Sequence, residues 1–326
     1  MNKKENLNQE TEIRNNLLSG DWVIIAPARA ENLKNSYVGC PFCNIDSQEK
    51  PTLIYNNGKI VTTTDKWTTI VIPNKYPVFV PLINECSSKD ESCYKIKSAG
   101  YHELIITSDH NKKIFQLPTK KIKEIFDCYQ SRIITLKKDK FVQYVFVFQN
   151  CGEKAGASQR HPHSQIITIP FIDKELKSII VKSKNYFDKN KKCLHCEIIK
   201  KELKTKERVI AENKSFVAYI PFAPRFLYQI IITPKKHSNL FEDISEDEKT
   251  DLAEIFKIVL QKYNKKLKDP DYNFYLHNSP CDEKEYPYFH WYFSLAPRLT
   301  YLAGFEIGAN MEIITRYPED QAKILK

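Results

Sequence analysis

No uninterrupted apolar run in this 326-residue chain approaches the roughly twenty residues a membrane span needs. The first fifteen residues are polar and lack the apolar segment of a secretory signal. A soluble, cytoplasmic protein with no membrane partner is expected. The chain also lacks a basic element. Its formal charge is +10 and its pI about 8.9, but the lysines are scattered among glutamates, so specific nucleic-acid binding is not expected. The charge serves rather to attract small anionic substrates. Glycine (8) and methionine (2) are scarce, a compositional bias with no functional content. A disulfide framework is absent too. Nine cysteines are an odd number, and four of them form two C-x-x-C pairs, which suits metal binding or free thiols in a reducing compartment. With 42% hydrophobic and 12% aromatic residues the chain can bury one large core or two medium ones, and two domains are expected.

What the chain has is a pattern that occurs twice. After a polar arm to about residue 18, Asp21 to Ala30 reads as a strand leaving into a loop, and Cys40-Pro41-Phe42-Cys43 as a tight knuckle presenting two thiolates. Glu103 to Thr107 is a strand ending near His110. Ile122, Ile125, Phe126, Tyr129 and Ile133 mark an amphipathic helix, and Val142 to Phe148 is the next strand. Lys182 to Lys206 reads as a lysine-rich connector holding Cys193-Leu194-His195-Cys196. Then the order repeats: a strand from Tyr228 to Thr233 runs toward His237, and a capping box at Ser245 to Glu248 opens a helix through Leu252, Ile255, Phe256, Val259 and Tyr263. Tyr272 to Leu276 is a strand, and Tyr288 to Ser294 stands in the place of the strand after it. His110 and His161 are 51 residues apart, and His237 and His290 are 53 apart. The expectation is a duplicated α+β unit, 1–180 and 181–326, each an antiparallel sheet with packed helices.

The chemistry concentrates at His161-Pro162-His163-Ser164-Gln165, which runs into Ile166-Ile167-Thr168-Ile169. On a strand, His161, His163 and Gln165 share one face while Ser164 and Ile166 share the other. Two histidines before a strand are by themselves ordinary. Upstream, however, Gly152 to Ser158 is a small-residue turn whose backbone N–H groups can approach a phosphate, and Asn150 leads into it. A neutral imidazole beside such a cradle suits a nucleophile.

Gly156-Ala157-Ser158 followed by His161-Pro162-His163-Ser164-Gln165 resembles the active-site signature of the galactose-1-phosphate uridylyltransferase family, within the histidine triad superfamily. The resemblance covers nearly the whole chain and implies two tandem histidine-triad-like domains. It also implies a nucleotidyl-histidine intermediate on His163, with His161 a metal ligand. By the same resemblance, Arg29 and Asn74 contact the nucleotide, Ser158 and Gln165 the phosphates, and Glu306 the hexose hydroxyls. Thr300 stands where some relatives carry a basic residue. The substrates implied are a nucleotide sugar and a sugar 1-phosphate, and a homodimer is expected. Features of the plant branch that phosphorolyses ADP-glucose are present as well: the single His of His290-Trp291-Tyr292, the second C-x-x-C, and the Gly304 to Gly308 ending. A non-catalytic nucleotide-binding module is the competing class.

Pairing each C-x-x-C with two histidines gives Cys40, Cys43, His110 and His161, and Cys193, Cys196, His237 and His290. Each is a closed Cys₂His₂ set, hence two structural zinc sites, with iron the alternative in the second and a redox role the alternative for the cysteines alone. Tyr292 stands where a second His would be, so the second unit is expected to keep a metal and lack catalysis. His277 is left out of the second set, which His290 already completes. His102 and His195 are expected to be structural or solvated, and Cys86, Cys93, Cys128, Cys151 and Cys281 to be free thiols.

Overall fold

The computed structural model describes residues 11–30, 39–81 and 95–326. The first half supplies β1 (Glu12–Asn15), β2 (Trp22–Ile25), β3 (Leu53–Asn56), β4 (Lys59–Ile60), β5 (Thr69–Pro73), β6 (Lys95–Lys97), β7 (His102–Thr107), α1 (Thr119–Leu136), β8 (Tyr144–Cys151) and β9 (His163–Ile169). The second half supplies α2 (Lys174–Asn190), α3 (Leu194–Thr205), β10 (Val209–Glu212), β11 (Phe216–Tyr219), β12 (Ile230–Pro234), α4 (Glu246–Leu267), β13 (Tyr272–His277), β14 (Tyr292–Pro297), α5 (Gly304–Ala309) and α6 (Pro318–Leu325). β2, β1 and β6 form a small sheet of their own. All other strands join one eleven-stranded sheet in the order β10-β11-β12-β14-β13-β8-β9-β7-β5-β3-β4, every pairing in it antiparallel.

Local chemistry accounts for the elements. Asn57 and Gly58, both at positive φ (50° and 81°), close the β3–β4 hairpin, as an Asn-Gly pair favours. Ser245 and Glu248 form the capping box that opens α4. Ile122, Ile125, Phe126, Tyr129, Ile133 and Leu136 line one buried stripe of α1 at helical spacing. Burying each such side chain is worth about 1.5–3 kcal/mol. α1 and α4 pack together on one face of the sheet, where Phe126 meets Phe256 edge-on at 5.2 Å and Phe293 at 5.8 Å.

The sequence and the structure differ in three places. Within the expected arm, Glu12–Asn15 is a strand, paired on both sides. The lysine-rich connector is helical: α2 begins at Asp173, whose carboxylate accepts from the Leu176 N–H, and α3 follows after a left-handed Lys191. Its lysines face solvent while Leu176 and Ile199 are buried, a helical period hidden by the charge. The two expected sheets are also not separate, because β13 pairs with β8 from Tyr272 opposite Cys151 to Tyr275 opposite Phe148. That seam puts residues of the second half directly beside the turn after β8.

Candidate active site

The active-site strand places side chains as its alternation requires. Ser164 and Ile166 point under α1, where the Tyr129 hydroxyl donates to Ser164 Oγ at 2.5 Å. His163, Gln165 and Ile167 face the other way and line a cavity of about 930 Å³. His163 is 6% exposed. Its Nδ1–H donates to the carbonyl of His161 at 2.9 Å, which leaves the Nε2 lone pair free. Burial pushes the His163 pKa down, partly opposed by that hydrogen bond, so the ring is neutral and nucleophilic at neutral pH.

The carbonyl that orients His163 is itself anchored. His161 Nδ1 lies 3.4 Å from Cys40 Sγ and 3.8 Å from Cys43 Sγ, and His110 Nδ1 lies 3.0 Å from Cys43 Sγ. The four donor atoms fall within 4.8 Å of one another, a donor set and spacing that fit one tetrahedral zinc. His161 Nε2–H donates to the Thr107 carbonyl at 2.7 Å, the outer hydrogen bond that fixes a ligating imidazole. Between the two cysteines, Phe42 is buried and meets the His163 ring edge-on at 5.0 Å. The knuckle thus braces His163 from two directions.

The second set repeats this arrangement. Cys193, Cys196, His237 and His290 again lie with donor atoms within 4.8 Å, and His290 Nε2 donates to the Pro234 carbonyl at 3.0 Å. The hydrogen bond from Cys196, with His237 and His290 beside it, pushes the Cys193 thiol well down, toward the thiolate a metal takes. Two residues on from His290 stands Tyr292, stacked on His277 at 4.5 Å, where the first unit has His163. His195 lies against His290 and meets the Tyr219 hydroxyl at 3.0 Å.

Around His163 the cavity brings together Arg29, Asn74, Asn150, Ser158 and Gln165. Arg29 donates to the Tyr76 carbonyl at 2.8 Å, and burial lowers its pKa. It has no carboxylate partner among the described residues. Asn74 Oδ1 accepts from the Tyr76 N–H at 2.9 Å. Gly152 (φ 90°) and Gly156 (φ 82°) shape the turn that carries Ser158 to the cavity wall. Glu306 is not brought here: it lies on α5, where its carboxylate accepts from the Ala303 N–H at 3.1 Å, and it is not part of this cavity. Cys86 and Cys93 lie outside the described residues, whereas Cys128, Cys151 and Cys281 are free thiols.

Two participants escaped the sequence reading. His102 is 4% exposed, and burial first of all lowers its pKa to about 4. Its Nδ1 accepts from the Val78 N–H at 3.3 Å, so Nε2 carries the proton and donates to Gln165 Oε1 at 2.8 Å, with Asn74 Nδ2 3.0 Å from the same nitrogen. That bond turns the Gln165 amino group away from His102 and frees it as a donor. Phe42 was visible only as filler between two cysteines. The pairing of β7 with β9, His102 opposite Ile167 and Leu104 opposite Gln165, is a register that a single sequence does not disclose.

Residues 2–173 match the family model described as galactose-1-phosphate uridyl transferase, N-terminal domain, and residues 180–310 match its C-terminal domain. The chain is 32% identical to the ADP-glucose phosphorylase of Arabidopsis thaliana over 98% of its own length and 93% of that protein. It is 29% identical to the galactose-1-phosphate uridylyltransferase of Thermotoga maritima over 97% and 98%. Among solved structures, the Arabidopsis ADP-glucose phosphorylase with bound ADP-glucose superposes with a TM-score of 0.77 at 32% identity, covering 97% of this chain and 98% of that one. A uridylyltransferase structure superposes with a TM-score of 0.81 at 26% identity, covering 96% and 97%.

Proposed function

Because the chain belongs to the galactose-1-phosphate uridyl transferase family, we propose that it transfers a nucleotidyl group by double displacement through His163. The observation that carries this reading is the His163 Nδ1–H bond to the His161 carbonyl, which leaves Nε2 unprotonated in the cavity. Nε2 attacks the α-phosphorus of a nucleoside diphosphate sugar and forms an N–P bond, while the P–O bond to the β-phosphate breaks and glucose 1-phosphate departs. That leaving group is a phosphate and needs no proton. The positive charge on the imidazole ring is met by the same carbonyl. A phosphate oxygen of the second substrate then attacks phosphorus and returns Nε2 to its free state. Arg29 supplies charge, and Gln165, Ser158 and Asn150 supply neutral donors that strengthen as negative charge develops on the transferring group.

The substrates proposed are UDP-glucose and galactose 1-phosphate, giving UDP-galactose and glucose 1-phosphate. The His-Pro-His-Ser-Gln form and the Thermotoga relative support that choice. The 32% identity to the Arabidopsis phosphorylase favours a second reading, adenylyl transfer from ADP-glucose to phosphate. Incubating the protein with UDP-glucose plus galactose 1-phosphate, and separately with ADP-glucose plus phosphate, separates the two by glucose 1-phosphate release. Release only in the second mixture overturns the uridylyl choice. A His163→Gly protein should release none in either while keeping its metal; near wild-type release would remove the mechanism.

Zinc is the metal proposed for both sets, with iron the alternative in the second; each would hold backbone in place and do no chemistry. The division into two units near residue 180 and a cytoplasmic location belong to the same proposal. No helix among the described residues is long and apolar enough to cross a membrane. A homodimer is proposed because Tyr301, Phe305, Ile307, Met311 and Ile313 are exposed around Glu306, apolar surface that a second copy would cover.

A further inference from the structure

The second half of the chain has Tyr292 where the first has His163, yet it reaches the small-residue turn of the first. β13 pairs with β8 so that Asn273 stands directly opposite Asn150. Asn273 Nδ2 donates both of its hydrogens across the seam, one to Asn150 Oδ1 at 2.8 Å and one to the Ala155 carbonyl at 2.8 Å. Two residues earlier, Asp271 Oδ2 accepts from the Lys154 backbone N–H at 2.7 Å. The Asp271 carboxylate also occupies the space beside Gly152: a Cβ there would lie 2.0 Å from Asp271 Oδ1. Between Asn150 and Gly156, the turn is therefore held at three points by two side chains of the other half.

We infer that Asn273, with Asp271 in support, is a positioning residue for nucleotidyl transfer. It touches no substrate. Its bond to Asn150 Oδ1 fixes which end of that carboxamide faces the cavity, leaving the Asn150 amino group, which has no other partner among the described residues, as a donor toward the phosphate. Its bond to the Ala155 carbonyl holds the turn whose next residues, Gly156 to Ser158, form the cavity wall. Without Asn273 the Asn150 amide can rotate and offer its oxygen to an anionic group, which repels instead of binding. The second unit thus serves the first through two side chains at the start of β13, Asp271 just before it and Asn273 within it. This inference rests on the reading of the cavity as a nucleotidyl-transfer site.

The test compares wild type, Asn273→Leu, Asn150→Ala and the double variant in whichever substrate mixture the wild type turns over. Leucine matches asparagine in shape and removes both donors. The expected result is a fall in kcat of about tenfold or more for Asn273→Leu, with KM for the nucleotide sugar within about threefold and the zinc content unchanged, since the donor matters most as charge develops. On the Asn150→Ala background the same substitution should cost distinctly less, because the two act through one amide. Trypsin should also cut after Lys154 faster in Asn273→Leu than in wild type, as the turn loosens. Asp271→Ala gives the same tryptic readout with no change on the strand face beside Asn150, and it stands in if Asn273→Leu does not fold. A kcat within twofold of wild type, or an equal loss on both backgrounds, overturns the inference. No turnover by wild type in either mixture would instead refute the functional reading, with the tryptic comparison still reporting whether Asn273 and Asp271 hold the turn.

Discussion

His277 offers a clean measurement of what the interior imposes on a titratable group. It is 8% exposed, stacked on Tyr292, and burial, followed by the charge of Arg225, lowers its pKa from 6.5 to about 4. No hydrogen bond to its ring is present among the described residues, so phenylalanine can replace it with the stacking kept and the proton site removed. Above pH 6.5 the folded and unfolded histidines are both neutral and contribute no pH dependence. Between 6.5 and 4 the unfolded ring takes a proton that the folded ring refuses, so stability falls as pH falls; below 4 both are charged and the loss is complete. At about 1.36 kcal/mol per pKa unit the full loss is about 3 kcal/mol, of which about 2 kcal/mol is present by pH 5. His277→Phe should therefore match wild type in urea unfolding near pH 7.5 and exceed it by about 2 kcal/mol at pH 5. The metal ligands and His102 titrate in both proteins and cancel in the difference. Stability curves that stay parallel down to pH 5 would refute the reasoning, since they would mean that His277 protonates as easily inside the fold as outside it.

Cys40→Ser should lower the zinc content from two ions per chain to one by elemental analysis. It should also cost a sizeable part of the roughly 10 kcal/mol that structural zinc contributes in small modules, and turnover should fall with it because the His161 carbonyl loses its anchor. His102→Phe should keep both metals but lower turnover by about tenfold or more in steady-state assays, since it leaves the Val78 N–H and Gln165 Oε1 without partners at a cost of about 1–3 kcal/mol. Turnover within twofold of wild type would show that Gln165 needs no such orientation.

The parts of the site that follow from spacing were legible in the sequence: two C-x-x-C knuckles, histidines at matching intervals, and a strand alternation that puts His163 and Gln165 on one face. Periodicity carried α1 and α4 for the same reason. What escaped depends on register and on neighbours distant in the chain. His102 reads as any histidine before a strand until β7 is laid against β9, and nothing local distinguishes Asn273 from other strand asparagines. α2 and α3 were obscured because lysine takes five of the seventeen positions of α2 and three of the twelve of α3 and dilutes the apolar stripe that would have marked them. Glu306 was identified by its segment alone, and a segment does not say into which cavity, or whose, its side chain is delivered.

The β8–β13 seam has a consequence for anyone who would take the chain apart. A cut near residue 180 removes from β8 its pairing with Tyr272 to Tyr275 and leaves each half with a bare strand edge at what was the centre of the sheet. Such edges, long and flanked by apolar side chains, recruit other strands indiscriminately. The halves are thus complementary fragments rather than interchangeable modules: each is the other's cap, and a library that shuffles first halves against second halves would have to match this seam before any question of substrate could arise.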